Sequence, residues 1–259
     1  MKIYSWNILF RNKELDRAFE FIRTTDFDIF CLQEVPADFL THLKTLPVAV
    51  VAIPETDRVF KGKHSTQYVV LLSRYPIRTF EAISLPYYDL DLPLRGKLFT
   101  WLMFALRLWA KGLGNRHAAH ADIETPTGIV RVFNLHLTLT QPAWRLEEFE
   151  RAMTERDTTL PAIVCGDFNI LESPKITLLN WLLGGSIDDV FLWMRERTHI
   201  EKRFVSHELS NPLRGKNTHP LSRSQLDHIL VSHSLTVKDA QVIPDRIGSD
   251  HHPIRVEIE

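Results

Sequence analysis

Cysteine is scarce in this chain, with only Cys31 and Cys165 among 259 residues. Each sits inside an apolar, strand-like run, where a free thiol packs as a small hydrophobe, so both read as buried thiols rather than a bridge. With so few thiolates, a metal site here has to be built mainly from oxygen donors, which suits magnesium or manganese. A charge of one sign is also lacking. The formal net charge is −1, and no overall basic field advertises a nucleic-acid partner. Long apolar runs are missing, since Leu98 to Ala110 falls short of the about 20 residues a bilayer span takes. Repeats, low-complexity tracts and an obvious linker are absent as well. No cationic stretch leads into an apolar one at the start, where Met1 to Trp6 reads directly as a strand, so a cytoplasmic location is expected.

What is present is ordinary for a globular chain, with 44% apolar and 24% charged residues. Length alone allows one large domain or two small ones. Strand and helix signals alternate. Lys2 to Asn7, Asp28 to Leu32, Tyr68 to Ser73, Gly128 to Leu137, Ala162 to Cys165, Leu226 to Val231, Thr236 to Val242 and Ile254 to Ile258 read as strands. Helices are expected over Glu14 to Thr24, from Pro36 to Leu46, over Gln141 to Asp157, Leu178 to Leu183 and Asp189 to Arg197. Antiparallel strands and helices in this mixture point to an α/β sandwich of two packed sheets with helices outside.

Six short polar motifs stand at the ends of apolar runs: Trp6-Asn7, Gln33-Glu34, Asn134-Leu135-His136, Gly166-Asp167-Phe168-Asn169, Leu226-Asp227-His228 and Ser249-Asp250-His251. If the first and last share a site, Asn7 and His251 must meet, which favours one domain over residues 1–259. Asp167 and Asn169 lie two positions apart, so an extended backbone turns both to one face. Ionised Asp167 can take a proton from attacking water while Asn169 orients that water or a phosphoryl oxygen. The same residues also suit a local turn. Gly166 lets the chain approach a bound phosphate. Glu34 ends a wholly apolar run, where an unpaired carboxylate is costly and a divalent ion would neutralise it, with Asn7 adding a neutral oxygen. A helix start beside Pro36 would also accommodate it. Asp250 is expected toward the metal and His251 toward phosphate, with Asp227 orienting His251 and holding it cationic. His228 and His252 read as support or surface residues. His136 alone would pass for a satisfied core histidine, but its membership in the series argues for catalysis.

In this set of motifs the chain resembles the endonuclease/exonuclease/phosphatase superfamily over Lys2 to Glu259, apart from an apolar insertion around residues 86–115. The resemblance implies a four-layer α/β sandwich that hydrolyses phosphoester bonds with Mg²⁺ or Mn²⁺. It implies Glu34 as principal metal ligand with Asn7 and Asp250 near it, Asp167 as the water-activating residue and Asn169 as its partner. His251 is similar to the phosphate-stabilising histidine paired with Asp227. His136 is similar to the second histidine of the pancreatic deoxyribonuclease and neutral sphingomyelinase branch. Ile8-Leu9-Phe10 lacks the acidic residue of exonuclease III-like members, which speaks against them. Ser73-Arg74-Tyr75-Pro76 matches a further segment, with Arg74 contacting substrate phosphate or holding a loop.

The insertion bears on substrate. Leu98 to Ala110 is apolar on nearly every helical face, so it must be buried in protein, form a contact between copies, or enter something apolar. Trp101 and Trp109 among Lys97, Arg107 and Lys111 suit a membrane interface, and if the helix is exposed beside the site, a lipid phosphodiester or phosphoinositide becomes the leading substrate class. A nuclease would need a local groove of cations such as Arg203, Arg214, Lys216 and Arg223, and binding that weakens steeply with salt. A catalytically silent module holding a phosphorylated partner is the reading from another class.

Overall fold

The computed structural model describes residues 1–86, 91–114, 116–174, 176–192 and 194–259. The chain opens with β1 (Lys2–Asn7), α1 (Leu15–Thr24), β2 (Ile29–Pro36) and α2 (Ala37–Leu43). A long hairpin of β3 (Ala49–Phe60) and β4 (Lys63–Ser73) leads to β5 (Ile77–Leu85), α3 (Leu94–Ala105) and the short β6 (Lys111–Gly112). Next come β7 (Arg116–Thr125), β8 (Gly128–His136), α4 (Pro142–Met153) and β9 (Ala162–Asp167). Three helices follow, α5 (Leu178–Leu182), α6 (Asp188–Phe191) and α7 (Arg195–Ser206). The chain ends in β10 (Leu209–Ser210), β11 (Asp227–Ser232), β12 (Val237–Val242) and β13 (Ile254–Ile258).

These strands form a seven-stranded sheet, β12-β13-β1-β2-β4-β3-β6, and a six-stranded sheet, β10-β11-β9-β8-β7-β5. Period-two alternation builds the layers. Leu71 of β4 faces inward with Ile3, Cys31, Ile163, Cys165 and Ile229, filling the space between the sheets. Its neighbours Val70 and Leu72 face outward, under Ala18, Ile22, Phe39 and Leu43 of α1 and α2. On the other side Phe149 and Ala152 of α4 and Ile200 and Phe204 of α7 cover Phe133, Leu135 and Val164. The result is the expected four-layer α/β sandwich, with two buried, unbridged cysteines.

The sequence reading missed most of the β3–β4 hairpin, because residues 55–67 are largely polar. Lys61 and Gly62 both take positive φ at its tip (50° and 78°), the twist that tight hairpin turns require. Strands β5 and β7 were also missed. The helix expected over Asp189 to Arg197 is instead α6 followed by α7, and residue 193 lies outside the described residues. The insertion around residues 86–115 holds α3, with residues 87–90 and 115 outside the described ones. Helix α3 is not a core helix. Only Gly96 is buried, while Leu94, Leu98 and Trp101 are 73%, 57% and 66% exposed.

Candidate active site

Strand direction gathers the motifs at one rim. β1 and β2 run parallel and put Asn7 beside Gln33. β8 and β9 also run parallel, with His136 in register with Asp167, and Asp227 of β11 faces Asp167 from the other side. Glu34 lies where β2 slips register against β4, between Leu32 and Val35. There it adopts a left-handed φ of 56°, a conformation costing a non-glycine residue about 1–3 kcal/mol. Such an irregularity re-aims a side chain out of the sheet plane. Leu32 and Val70 are the last pair before the slip, and the carbonyls of both accept from the other sheet. The Asn134 side chain reaches across from the other sheet and donates to both, at 3.1 and 2.9 Å, while the Gln33 amide donates to Asn134 Oδ1 at 2.7 Å.

Asp167 is the hub and is only 1% exposed. Its Oδ2 accepts from the Asn7 side-chain amide at 3.0 Å and its Oδ1 from the Asn169 backbone N–H at 2.9 Å. The local turn expected for this segment is therefore formed. Asn169 also has a positive φ of 54°, and its amide nitrogen donates to the Leu137 carbonyl. A Cβ at Gly166 would lie 1.9 Å from the Leu135 carbonyl oxygen, so its smallness serves the close approach of β8 and β9.

Two imidazoles flank Asp167, each with Nε2 at 3.6 Å from Oδ2. Each ring's Nδ1 meets a buried carboxylate, His136 with Glu55 at 2.6 Å and His251 with Asp227 at 2.9 Å. Burial alone would discharge both rings. For His251 the carboxylates of Asp227, Asp167 and Asp250 prevail and raise its pKa to about 10. For His136 burial is likewise outweighed, by Glu55 with Asp167 and Glu34, and its pKa is raised. Burial opposes ionisation of Glu55, but His136, Arg58 and Arg116 hold it down at about 2. Burial raises Asp227 despite its bond to His251. The surrounding carboxylates thus favour the charged form of both rings.

Glu34 lies on the His136 side, its Oε1 at 3.9 Å from His136 Nε2 and from Arg58, and its Oε2 accepting the Phe10 backbone N–H. Asp250 lies on the His251 side, with carboxylate oxygens 3.8 Å from His219 Nε2 and 3.9 Å from His251 Nε2. Burial would raise its pKa, but His219 and His251 lower it to about 2. Asn7 Oδ1 accepts from Leu9 N–H and keeps a second lone pair. Arg74 is not part of this constellation. It pairs with Asp26 and the Thr25 carbonyl before the start of β2, at the opposite end of that strand from Glu34, so it holds a loop. His228 is fully buried, stacked on Phe168 and accepting from Arg197. Burial and Arg197 push its pKa well down, which makes it a neutral support.

Sequence reading missed Glu55, Arg58 and His219. Glu55 carried a usable signal, an acid among the apolar and β-branched residues Val51, Ile53 and Thr56. A divalent cation fits the donor set. Once the two imidazole–carboxylate pairs cancel, Glu34 is left with Arg58 at 3.9 Å and Asp250 with His219 at 3.8 Å, and Asp250 Oδ1 is buried without a hydrogen bond. That surplus of negative oxygen is what a hard ion neutralises. Two tight donor sets occur among the described residues, His219 with Asp250 and His251, and Asp167 with Asp227 and His251. Glu34 belongs to neither.

Residues 4–251 match the model of the Endonuclease/Exonuclease/phosphatase family. The chain belongs to that family. No curated protein matches this family member in sequence. Solved structures share its fold. A conserved protein of unknown function from Enterococcus faecalis is 14% identical at a TM-score of 0.69, over 100% of this chain and 99% of that one. A mannosyl-6-phosphatase from Bacteroides thetaiotaomicron is 21% identical at 0.66, over 100% and 99%. The 3′ phosphatase NExo from Neisseria, bound to a product DNA hairpin, is 18% identical at 0.62, again over 100% and 99%. As an endonuclease/exonuclease/phosphatase family member, the protein is a hydrolase of phosphoester bonds, a class that generally works with a divalent metal. No helix among the described residues is long and apolar enough to cross a membrane.

Proposed function

We propose that the protein is a Mg²⁺- or Mn²⁺-dependent phosphodiesterase acting on a lipid or small phosphorylated substrate. The observation that carries this reading is the bracket of two carboxylate-bound imidazoles around Asp167, with Glu34 3.9 Å from one of them. Glu34, Asn7 and Asp250 would hold the ion, which supplies Lewis-acid polarisation of the phosphate and neutralisation of its charge. Asp167, oriented by Asn7 and Asn169, accepts a proton from the attacking water. His136 and His251, kept charged from behind by Glu55 and Asp227, turn Nε2–H donors toward non-bridging oxygens, where charge grows in the transition state. Either ring can protonate the leaving oxygen.

A nuclease is the second reading, supported by the fold shared with the DNA-bound Neisseria phosphatase. Against it, cations expected to line a groove are already engaged, Arg214 with Glu201 at 2.7 Å and Arg203 with Glu150 at 3.5 Å. The intact polar set argues against a silent binding module. The test is a panel of an aryl phosphodiester, sphingomyelin, phosphoinositides, DNA and RNA, run with Mg²⁺, Mn²⁺ or chelator, alongside Asp167→Ala. Metal-dependent cleavage of a small or lipid diester, lowered about a hundredfold or more by the substitution with the fold intact, is expected. Turnover confined to nucleic acid, or an unimpaired variant, defeats the assignment.

A further inference from the structure

We infer that α3 and the segment returning from it form a docking surface for an anionic lipid bilayer, placed so that the site's mouth faces the headgroups. Leu94, Leu98, Trp101, Leu102 and Ala105 recur at helical spacing and are all exposed. This is an apolar stripe turned to water rather than to the core. Leu106, Leu108 and Leu113 continue it, also exposed. Contiguous exposed apolar surface of this kind marks a contact site.

The surface is anchored at both ends. At its start Arg95 donates to the carbonyls of Trp181 and Gly185, both at 2.8 Å. At its end β6 pairs with Arg58 and Val59, and Leu113 N–H donates to the Asp57 carbonyl. Phe99 packs edge-on against Trp109, ring centroids 5.4 Å apart, tying helix to return segment. Arg58 is the residue that also approaches Glu34. A bilayer meeting α3 therefore meets the rim of the site.

Charge decides the occupant. From Leu92 to Ala121 the sequence has no Asp or Glu, and Lys97, Arg107 and Lys111 are exposed among the apolar side chains. An exposed tryptophan and leucines rimmed by cations match an interfacial segment on anionic lipid. A second copy is a poor match, because a two-fold contact would bring this acid-free surface against itself. The inference rests on the phosphoesterase reading only for what the bound surface offers the site.

The test sediments the whole chain with phosphatidylcholine vesicles, with and without phosphatidylserine, at low and high salt. Binding that needs phosphatidylserine, weakens with salt and falls about tenfold or more in Leu98→Ser/Trp101→Ser is expected, with hydrolysis of a soluble aryl phosphodiester unchanged. No binding by the wild type, or equal binding by the variant, overturns the inference. A concentration-dependent dimer that the same substitutions abolish, without vesicle binding, gives the face to a second copy and overturns it equally. Failure of the wild type to cleave the soluble diester strikes the phosphoesterase reading alone, since sedimentation decides docking independently.

Discussion

Glu55 and Asp227 are where one charge changes the most. Each lies behind an imidazole, and the pair sets the protonation of both rings. Removing the charge of Glu55 takes away the main influence raising His136, so His136 becomes neutral at lower pH. Glu55→Gln is expected to lower kcat about tenfold or more and to move the alkaline limb of the pH–rate profile downward. An unmoved limb would mean that His136 takes no part as a cation. Stability carries a matching signature. The pKa of His251 is raised to about 10 by its carboxylates, so its contribution is complete below about pH 6.5 and fades as pH climbs toward 10. In chelator, urea midpoints should fall across that window in the wild type and less so in His251→Gln. Glu55, held at about 2, acts in the opposite direction, stabilising above the ordinary glutamate range and ceasing to do so on strong acidification.

Among the elements, the junction of β8 and β9 is the least tolerant. Gly166→Ala puts a methyl group onto the Leu135 carbonyl at a φ of 144°, and a loss of about 3 kcal/mol or more in urea unfolding is expected. A near-neutral substitution would mean that the two strands can separate without cost. The same elements show what could be read in advance. Asn7, His136 and Asp167 close apolar strands, Asp227 opens one and Glu34 lies near the end of another, and the change between apolar and polar marks each of them. Glu55 and Arg58 lie in the polar reach of a hairpin whose pairing is set by its partner strand and its Lys61-Gly62 turn. His219 sits in a loop that only tertiary contacts place against His251, ring centroids 4.8 Å apart. Periodicity carries no trace of Arg58 or His219. Arg74 shows the converse, because a matching local segment did not reveal which end of β2 it would occupy.

For the whole molecule, the surplus of carboxylates would make a bound divalent ion a folding ligand as well. Mg²⁺ or Mn²⁺ at about a hundred times its dissociation constant should add about 2.7 kcal/mol, visible as a rise in Tm. Glu34→Gln should remove most of that rise while relieving repulsion in the metal-free protein. A full rise in Glu34→Gln would place the ion elsewhere. The proposed site spans two sheets, with Glu34 on one and His136, Asp167 and Asp227 on the other. Asn134 bolts them together by donating to the Leu32 and Val70 carbonyls. With this gauge fixed deep in the sandwich, the reacting groups keep their spacing whatever hangs from the rim. The stretch between β5 and β7 could be exchanged for another, redirecting the enzyme to a new class of molecule while its chemistry stays tuned.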